Sequence, residues 1–215
     1  MKFLQEDTPI TALLTRFMDL ILVNVLFVLC CVPILTIGAS FTAMYDVCMK
    51  LALRENVKIL SDFFGSFARN LKRSTLLYFL TVAAGIFLII DFRCAVLWET
   101  SFRSLFQIVI LSVGYFYIAV ASHAFPALAY FQAPVVPTVR HAFVLAMRNG
   151  IYTVFVMLMD LLPLLILFLA PVLFFRILLV WMSFGFALLA YLNSLHLVRL
   201  FDPERVKELE EEEKV

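Results

Sequence analysis

Apolar residues gather in five long runs along this chain, at about residues 13–36, 74–92, 104–130, 151–170 and 174–197, each bounded by charge or by proline and glycine. A helix needs ~20 apolar residues to cross the ~30 Å hydrocarbon core of a bilayer. The pattern therefore predicts an all-α, polytopic membrane protein with about five transmembrane helices. Residues 1–200 form the membrane domain and residues 201–215 a charged tail, expected as a solvated and partly frayed helix. The first run is too long for a signal-peptide core and lacks a basic leader, so it reads as an uncleaved span. In the third run, Pro126 is expected to bend the last turns out of the membrane. Pro171 leaves only a short connection between the fourth and fifth runs, which makes them an antiparallel hairpin.

Two stretches between the runs carry helical periodicity. Leu60, Phe63, Phe64, Phe67, Ala68 and Leu71 fall on one face of a helix, with Ser61 or Asp62 suited to its N-terminus and Arg69, Lys72 and Arg73 to its C-terminus. Val139, Ala142, Phe143, Ala146 and Met147 repeat the spacing, with Thr138 as the expected cap. Both are expected as cytoplasmic amphipathic helices lying flat at the membrane surface or against a partner. A constant offset pairs Leu60 with Val139, Phe64 with Phe143, Ala68 with Met147, Arg69 with Arg148 and Asn70 with Asn149. Either spans one and two recur as spans three and four in a parallel repeat, or two surface helices match through composition alone.

Composition agrees with a lipid environment. Of the 215 residues, 64% are hydrophobic and 15% charged, well above the apolar share of soluble domains. A net charge of +1 offers no field to gather nucleic acid. Cys30, Cys31, Cys48 and Cys94 show neither CxxC nor Cys/His ligand spacing, which argues against a structural metal or a disulfide framework. Lysine and arginine divide unevenly between the two sides of the drawn topology. Lys50, Arg54, Lys58, Arg69, Lys72, Arg73, Arg140, Arg148, Arg199, Arg205, Lys207 and Lys214 share one side; Lys2, Arg16, Arg93, Arg103 and Arg176 share the other. By the positive-inside rule the larger group is cytoplasmic, giving an outside N-terminus and a cytoplasmic C-terminus.

Few residues in the runs could carry chemistry. Asp160 lies about midway along the fourth run, where a carboxylate is costly and by default functional. Asn24, His123 and Asn193 are its candidate partners. A structural alternative has Asp160 protonated, or hydrogen-bonded to backbone that Pro163 frees. Asn24 and Asn193 read best as interhelical hydrogen-bonding residues, His123 as a packed histidine. Arg16 and Asp19, three residues apart, suit an interfacial salt bridge. No GxSxG, HExxH or glycine-rich phosphate loop occurs, so neither an enzyme nor a cofactor is expected.

The segment from Cys31 to Ser40, Phe41-Thr-Ala-Met-Tyr45 after it, and the stretch from Asp62 to Lys72 together resemble the YesL family of bacterial membrane proteins. In that family an Asn-containing first helix leads through a Pro-x-x-Thr-x-Gly signature to an F-x-x-F-x-x-N segment. Asn24, Pro33, Thr36, Gly38, Phe64, Phe67 and Asn70 match it. The resemblance implies a place in the bacterial cytoplasmic membrane and an association with carbohydrate ABC transporters. In physical terms, Pro33 lacks an N–H, Thr36 can bond a freed carbonyl and Gly38 permits a close approach or sharp turn, so the first span can bend into the helix after it. The leading expectation is a non-catalytic accessory subunit that meets a sugar ABC permease or its ATPase, in membrane lipid and as a homo-oligomer if it self-associates. Phe63, Phe64, Phe67, Arg69, Asn70, Phe143, Met147, Arg148 and Asn149 are its docking candidates. A small transporter or channel with Asp160 in its path is the alternative, and a purely lipid-facing, membrane-shaping protein is the third reading.

Overall fold

The computed structural model describes residues 9–97 and 102–212, and every regular element among them is helical. Lys2 and Lys214, both used in the charge count, lie outside the described residues. Helix α1 (Pro9–Cys31) ends where Pro33 removes a backbone donor; a 3-10 turn (Ile34–Thr36) follows and α2 (Ile37–Ala52) begins. The Thr36 hydroxyl donates to the Cys30 carbonyl at 2.6 Å and lies 2.8 Å from that of Pro33, covering acceptors the break sets free.

The chain then folds back on itself. Arg16 of α1 donates to the Leu51 carbonyl at the end of α2 (2.7 Å) and to the Tyr191 hydroxyl (3.0 Å), so α1 and α2 are an antiparallel hairpin. Two sequence expectations are corrected here. Arg16 spends its donors on a helix C-terminus, which attracts cations, and no Arg16–Asp19 ion pair forms. Arg16 and the connection around residues 53–58 also lie at the same end of the hairpin, not on opposite faces as the charge count had placed them.

Helix α2 is the most enclosed part of the fold, with twelve of its sixteen residues buried. The sequence reading had ended the first span at residue 36 and put this stretch in a cytoplasmic connection. Its polar residues explain the misreading, because each is answered locally. The Thr42 hydroxyl bonds Ser74 Oγ at 2.8 Å, and Ser40 donates to the Thr36 carbonyl. Asp46 meets Lys50 and Arg69.

Helix α3 (Ile59–Leu97) joins two elements expected to be separate. Its 39 residues extend roughly 58 Å at ~1.5 Å per residue, about twice the hydrocarbon thickness. Residues 60–71 are therefore the first turns of a continuous rod, not a helix lying flat. Asp62 holds this start by accepting from the Lys58 N–H (2.8 Å) and Lys50 Nζ (3.0 Å). Further along, α3 presents Leu76, Phe79, Ile86, Phe87 and Ile90 outward, as a lipid-facing helix does.

Helix α4 (Arg103–Phe131) continues through Pro126 without a break and ends in a left-handed Gln132, whose carbonyl accepts from Arg73. Helix α5 (Val135–Arg148) starts earlier than expected, so Thr138 sits inside its first turn, donating to the Pro134 carbonyl, and is not the cap. It meets α6 (Gly150–Leu169) at a bend of 113°. The two segments paired in the proposed repeat thus differ: Asn70 is in mid-helix, whereas Asn149 stands at a break. The fifth run divides into α7 (Pro171–Arg176), a turn of α8 (Leu178–Val180), a π-helical turn (Trp181–Gly185) and α9 (Phe186–Phe201). Asp202 then accepts from the Arg205 N–H at the start of α10 (Pro203–Glu212).

Among the described residues five helices are long and apolar enough to cross a membrane: α1, α2, α3, α4 and the segment Leu178–Phe201; the bent α5–α6 pair makes a sixth if it is counted as one span. The core lies where α1, α2, α3 and α9 meet, around Val23, Phe27, Val47 and Phe63.

Gly38 has ordinary helical dihedrals, and its value is space. A Cβ there would lie 2.4 Å from the Ser74 carbonyl oxygen and 2.8 Å from Tyr78 Cβ. Gly38→Ala is expected to destabilise the protein by about 1–3 kcal/mol, the usual cost of forcing atoms into a packed contact. Gly65→Ala, where the new methyl would meet only the Arg69 side chain at 3.9 Å, should be near neutral. Thermal melts of both variants in detergent check the contrast.

Candidate functional site

Within an apolar bundle every polar side chain needs a partner, and Asn24 has three. Its Nδ2 donates to the carbonyls of Trp181 (3.1 Å) and Met182 (2.7 Å), and its Oδ1 accepts from the Ala187 N–H (2.9 Å). A π-helical turn shifts the backbone ladder and leaves groups unmatched. One buried amide supplies both donors and the acceptor that this turn lacks. Asn24 thereby ties α1 to α9, and it is not in contact with Asp160.

The Asp160 carboxylate, projecting from the middle of α6, has Asn193 beside it. Asn193 Nδ2 lies 3.3 Å from Asp160 Oδ1 and 3.4 Å from the Tyr45 hydroxyl, so one amide group bridges α6 and α2 from its place on α9. The Tyr152 hydroxyl donates to the Asn193 carbonyl (2.9 Å), and Tyr152 stacks on His196 with ring centroids 3.6 Å apart. His123 is fully buried, with Nδ1 2.9 Å from the Ala119 carbonyl and its ring edge-on to Tyr152. Its Nε2 and the Asn193 Oδ1 have no hydrogen-bond partner. Of the three partners expected for Asp160, the fold delivers Asn193 directly, brings His123 near through Tyr152, and uses Asn24 elsewhere. Tyr45, Tyr152 and Ser122 were missed; tyrosines and serines in apolar runs carry no periodic mark, and three different helices bring them together.

Asp160 and Ser122 line a cavity of about 450 Å³ whose remaining wall is almost wholly apolar, with Phe41, Tyr45, Phe125 and Phe186 prominent in it. No lysine, arginine or histidine among the described residues forms an ion pair with Asp160. Among the described residues no group of three or more His, Cys, Asp or Glu is placed to hold a metal ion.

The docking candidates separate into two groups. Phe63 and Asn70 are buried, Asn70 donating to Ser66, and Phe67 is packed against the core. Arg69 pairs with Asp46 across the α2–α3 contact at 3.4 Å. Phe63, Phe67 and Asn70 are packed into the fold, and as docking residues those three are corrected; Arg69 ties α2 to α3 but stays half exposed. Phe64 faces outward on α3, as do Phe143 and Met147 on α5, while Ala142 and Ala146 turn inward. Arg148 and Asn149 border a second pocket of about 400 Å³ with Arg140, His141 and Phe201.

The hinge at Pro33, α2 and most of α3 fall within one stretch that is similar to a known family. Residues 20–92 match the family model described as Protein of unknown function, DUF624. The DUF624 match takes in Asn24, Pro33, Thr36, Gly38 and Asn70, and stops before the helices that carry Asp160 and Asn193. No curated protein matches the chain. No solved structure matches it either.

Replacing Asn24 by Leu would bury the Trp181 and Met182 carbonyls and the Ala187 N–H without partners, at about 1–3 kcal/mol for each group left unsatisfied. Asn24→Asp keeps the acceptor and loses both donors. Both variants should speed hydrogen exchange at the Ala187 amide, with Leu the more severe.

Proposed function

We propose that this chain is a non-catalytic accessory subunit of a carbohydrate ABC transporter in the bacterial cytoplasmic membrane, docking on the permease or its ATPase. The observation that carries the reading is what the fold leaves outside. After Phe63, Asn70, Ala142 and Ala146 are packed, Leu60, Phe64 and Leu71 on α3 and Val136, Phe143 and Met147 on α5 remain exposed. Rows of this kind suit a helix-in-groove contact. The sugar and the transporter come from the YesL resemblance alone, which rests on Pro33, Thr36, Gly38, Phe64 and Phe67.

The orientation we propose differs from that first drawn. The N-terminal end of α1 and the 53–58 connection share one end of the hairpin, and α4 returns along α3 to end beside Arg73. Six crossings, counting α5–α6 as one, put both termini on the same side. Only Arg93, Arg103 and Arg176 then face outward, which satisfies the positive-inside rule better than an outside N-terminus did.

Cytoplasm-dependent reporters fused to either terminus should both be active; an active C-terminal fusion with an inactive N-terminal one restores the odd number of crossings. For docking, the tagged protein purified in mild detergent is expected to bring a sugar permease or its ATPase in stoichiometric amount, identified by mass spectrometry. Phe64→Glu combined with Phe143→Glu should release it. Recovery of the protein alone, or with copies of itself only, defeats the docking reading.

A second reading has a specific observation behind it. The half-open cavity beside Asp160 has the size of a small-molecule site and a largely apolar wall, which suits a small transporter with Asp160 in its path.

A further inference from the structure

We propose that the Asp160 cavity binds a hydrophobic organic cation, with the charged centre against the carboxylate and apolar substituents against the aromatic wall. The proposal deepens the second reading above and does not depend on the docking one. A carboxylate removed from water needs a counter-charge or a full set of donors. Asp160 has neither. Asn193 offers it a single amide nitrogen at 3.3 Å, shared with the Tyr45 hydroxyl at 3.4 Å. Ser122 adds one hydroxyl hydrogen bond. The Asn193 amide oxygen also lacks a hydrogen-bond partner, so the polar cluster beside the cavity has an acceptor left unanswered.

The rest of the cavity says what that group carries. Phe41, Phe125, Phe174 and Phe186 line it with Tyr45, and aromatic faces attract cations while accommodating apolar substituents. A volume of about 450 Å³ lies within the range of small-molecule sites. A bare metal ion is poorly served, because one carboxylate and two neutral groups cannot replace six oxygen ligands. A sugar is poorly served as well, because its hydroxyls would face phenylalanine rings. A lipid acyl chain would fit the wall but would leave Asp160 without a role.

The test uses the full chain in lipid nanodiscs and measures binding of tetraphenylphosphonium by equilibrium dialysis, with neutral triphenylphosphine oxide and anionic tetraphenylborate as comparisons. Saturable binding of the cation at one site per chain is expected, and Asp160→Asn should weaken it about tenfold or more by removing the only opposing charge. Asp160→Glu should restore part of it. Ala121→Phe, which adds bulk to the cavity wall and leaves Asp160 in the sequence, should also abolish binding and keeps the test open if Asp160→Asn does not fold. Equal binding of the three probes, cation binding indifferent to both variants, or no binding at all would each overturn the proposal. Flux in reconstituted vesicles separates it from the transport reading. Saturable, Asp160-dependent cation binding without flux leaves the site standing and ends the transport reading. Asp160-dependent flux of another solute without cation binding does the reverse.

Discussion

The fold depends on one break in the backbone. Between α1 and α2 the chain lacks a donor at Pro33, and the carbonyls this frees need partners from outside the helix ladder. Thr36 supplies them from within the turn, and Thr75 of α3 donates to the Leu35 carbonyl from outside it. Gly38 then lets α2 come close enough to α3 for the Thr42–Ser74 hydrogen bond to form. Without that approach α2 could not be enclosed. The surface on which α9 and α4 pack would be missing.

Polar groups in the bundle serve two different ends. Asn24 is fully answered: its donors and its acceptor match a π-helical turn, and the outcome is a rigid join between α1 and α9. Asp160 is incompletely answered. Its neighbours Asn193 and Ser122 are neutral, the Asn193 contact is long at 3.3 Å, and it opens on a cavity. A membrane protein retains an uncompensated carboxylate only at an energetic cost, which makes such a position a site for a ligand more readily than a structural tie. The ionic contacts of Asp46 and Asp62 with Lys50 and Arg69 belong with Asn24, since they join α2 to the first turns of α3.

Much of the architecture was legible because hydrophobicity is a one-dimensional signal. The apolar runs at 104–130 and 151–170 coincide with α4 and α6 within a residue or so, as lipid imposes both composition and length. The same signal failed at α2, whose Ser40, Thr42, Asp46 and Lys50 lower its hydropathy below that of the other candidate spans. A helix shielded by its neighbours can afford polar residues that a lipid-facing helix cannot. Periodicity also misled at residues 60–71. The pattern identified a helix correctly, but a face that packs on α2 has the same spacing as one that rests on lipid.

The sequence by itself determined that the chain is helical and membrane-embedded, where most of its long helices run, and that Asn24, Pro33, Thr36, Gly38 and Asp160 needed explaining. Those conclusions follow from composition and local stereochemistry, which each segment carries alone. Tertiary structure decided the rest: that α1 turns back on α2, that Phe63 and Asn70 face inward while Phe64 and Phe143 face out, and that Asn193, Tyr45 and Ser122 gather around Asp160. Residues on five helices meet at that cavity. Only the packing of those helices, through contacts far apart in the chain, sets which side chains share it.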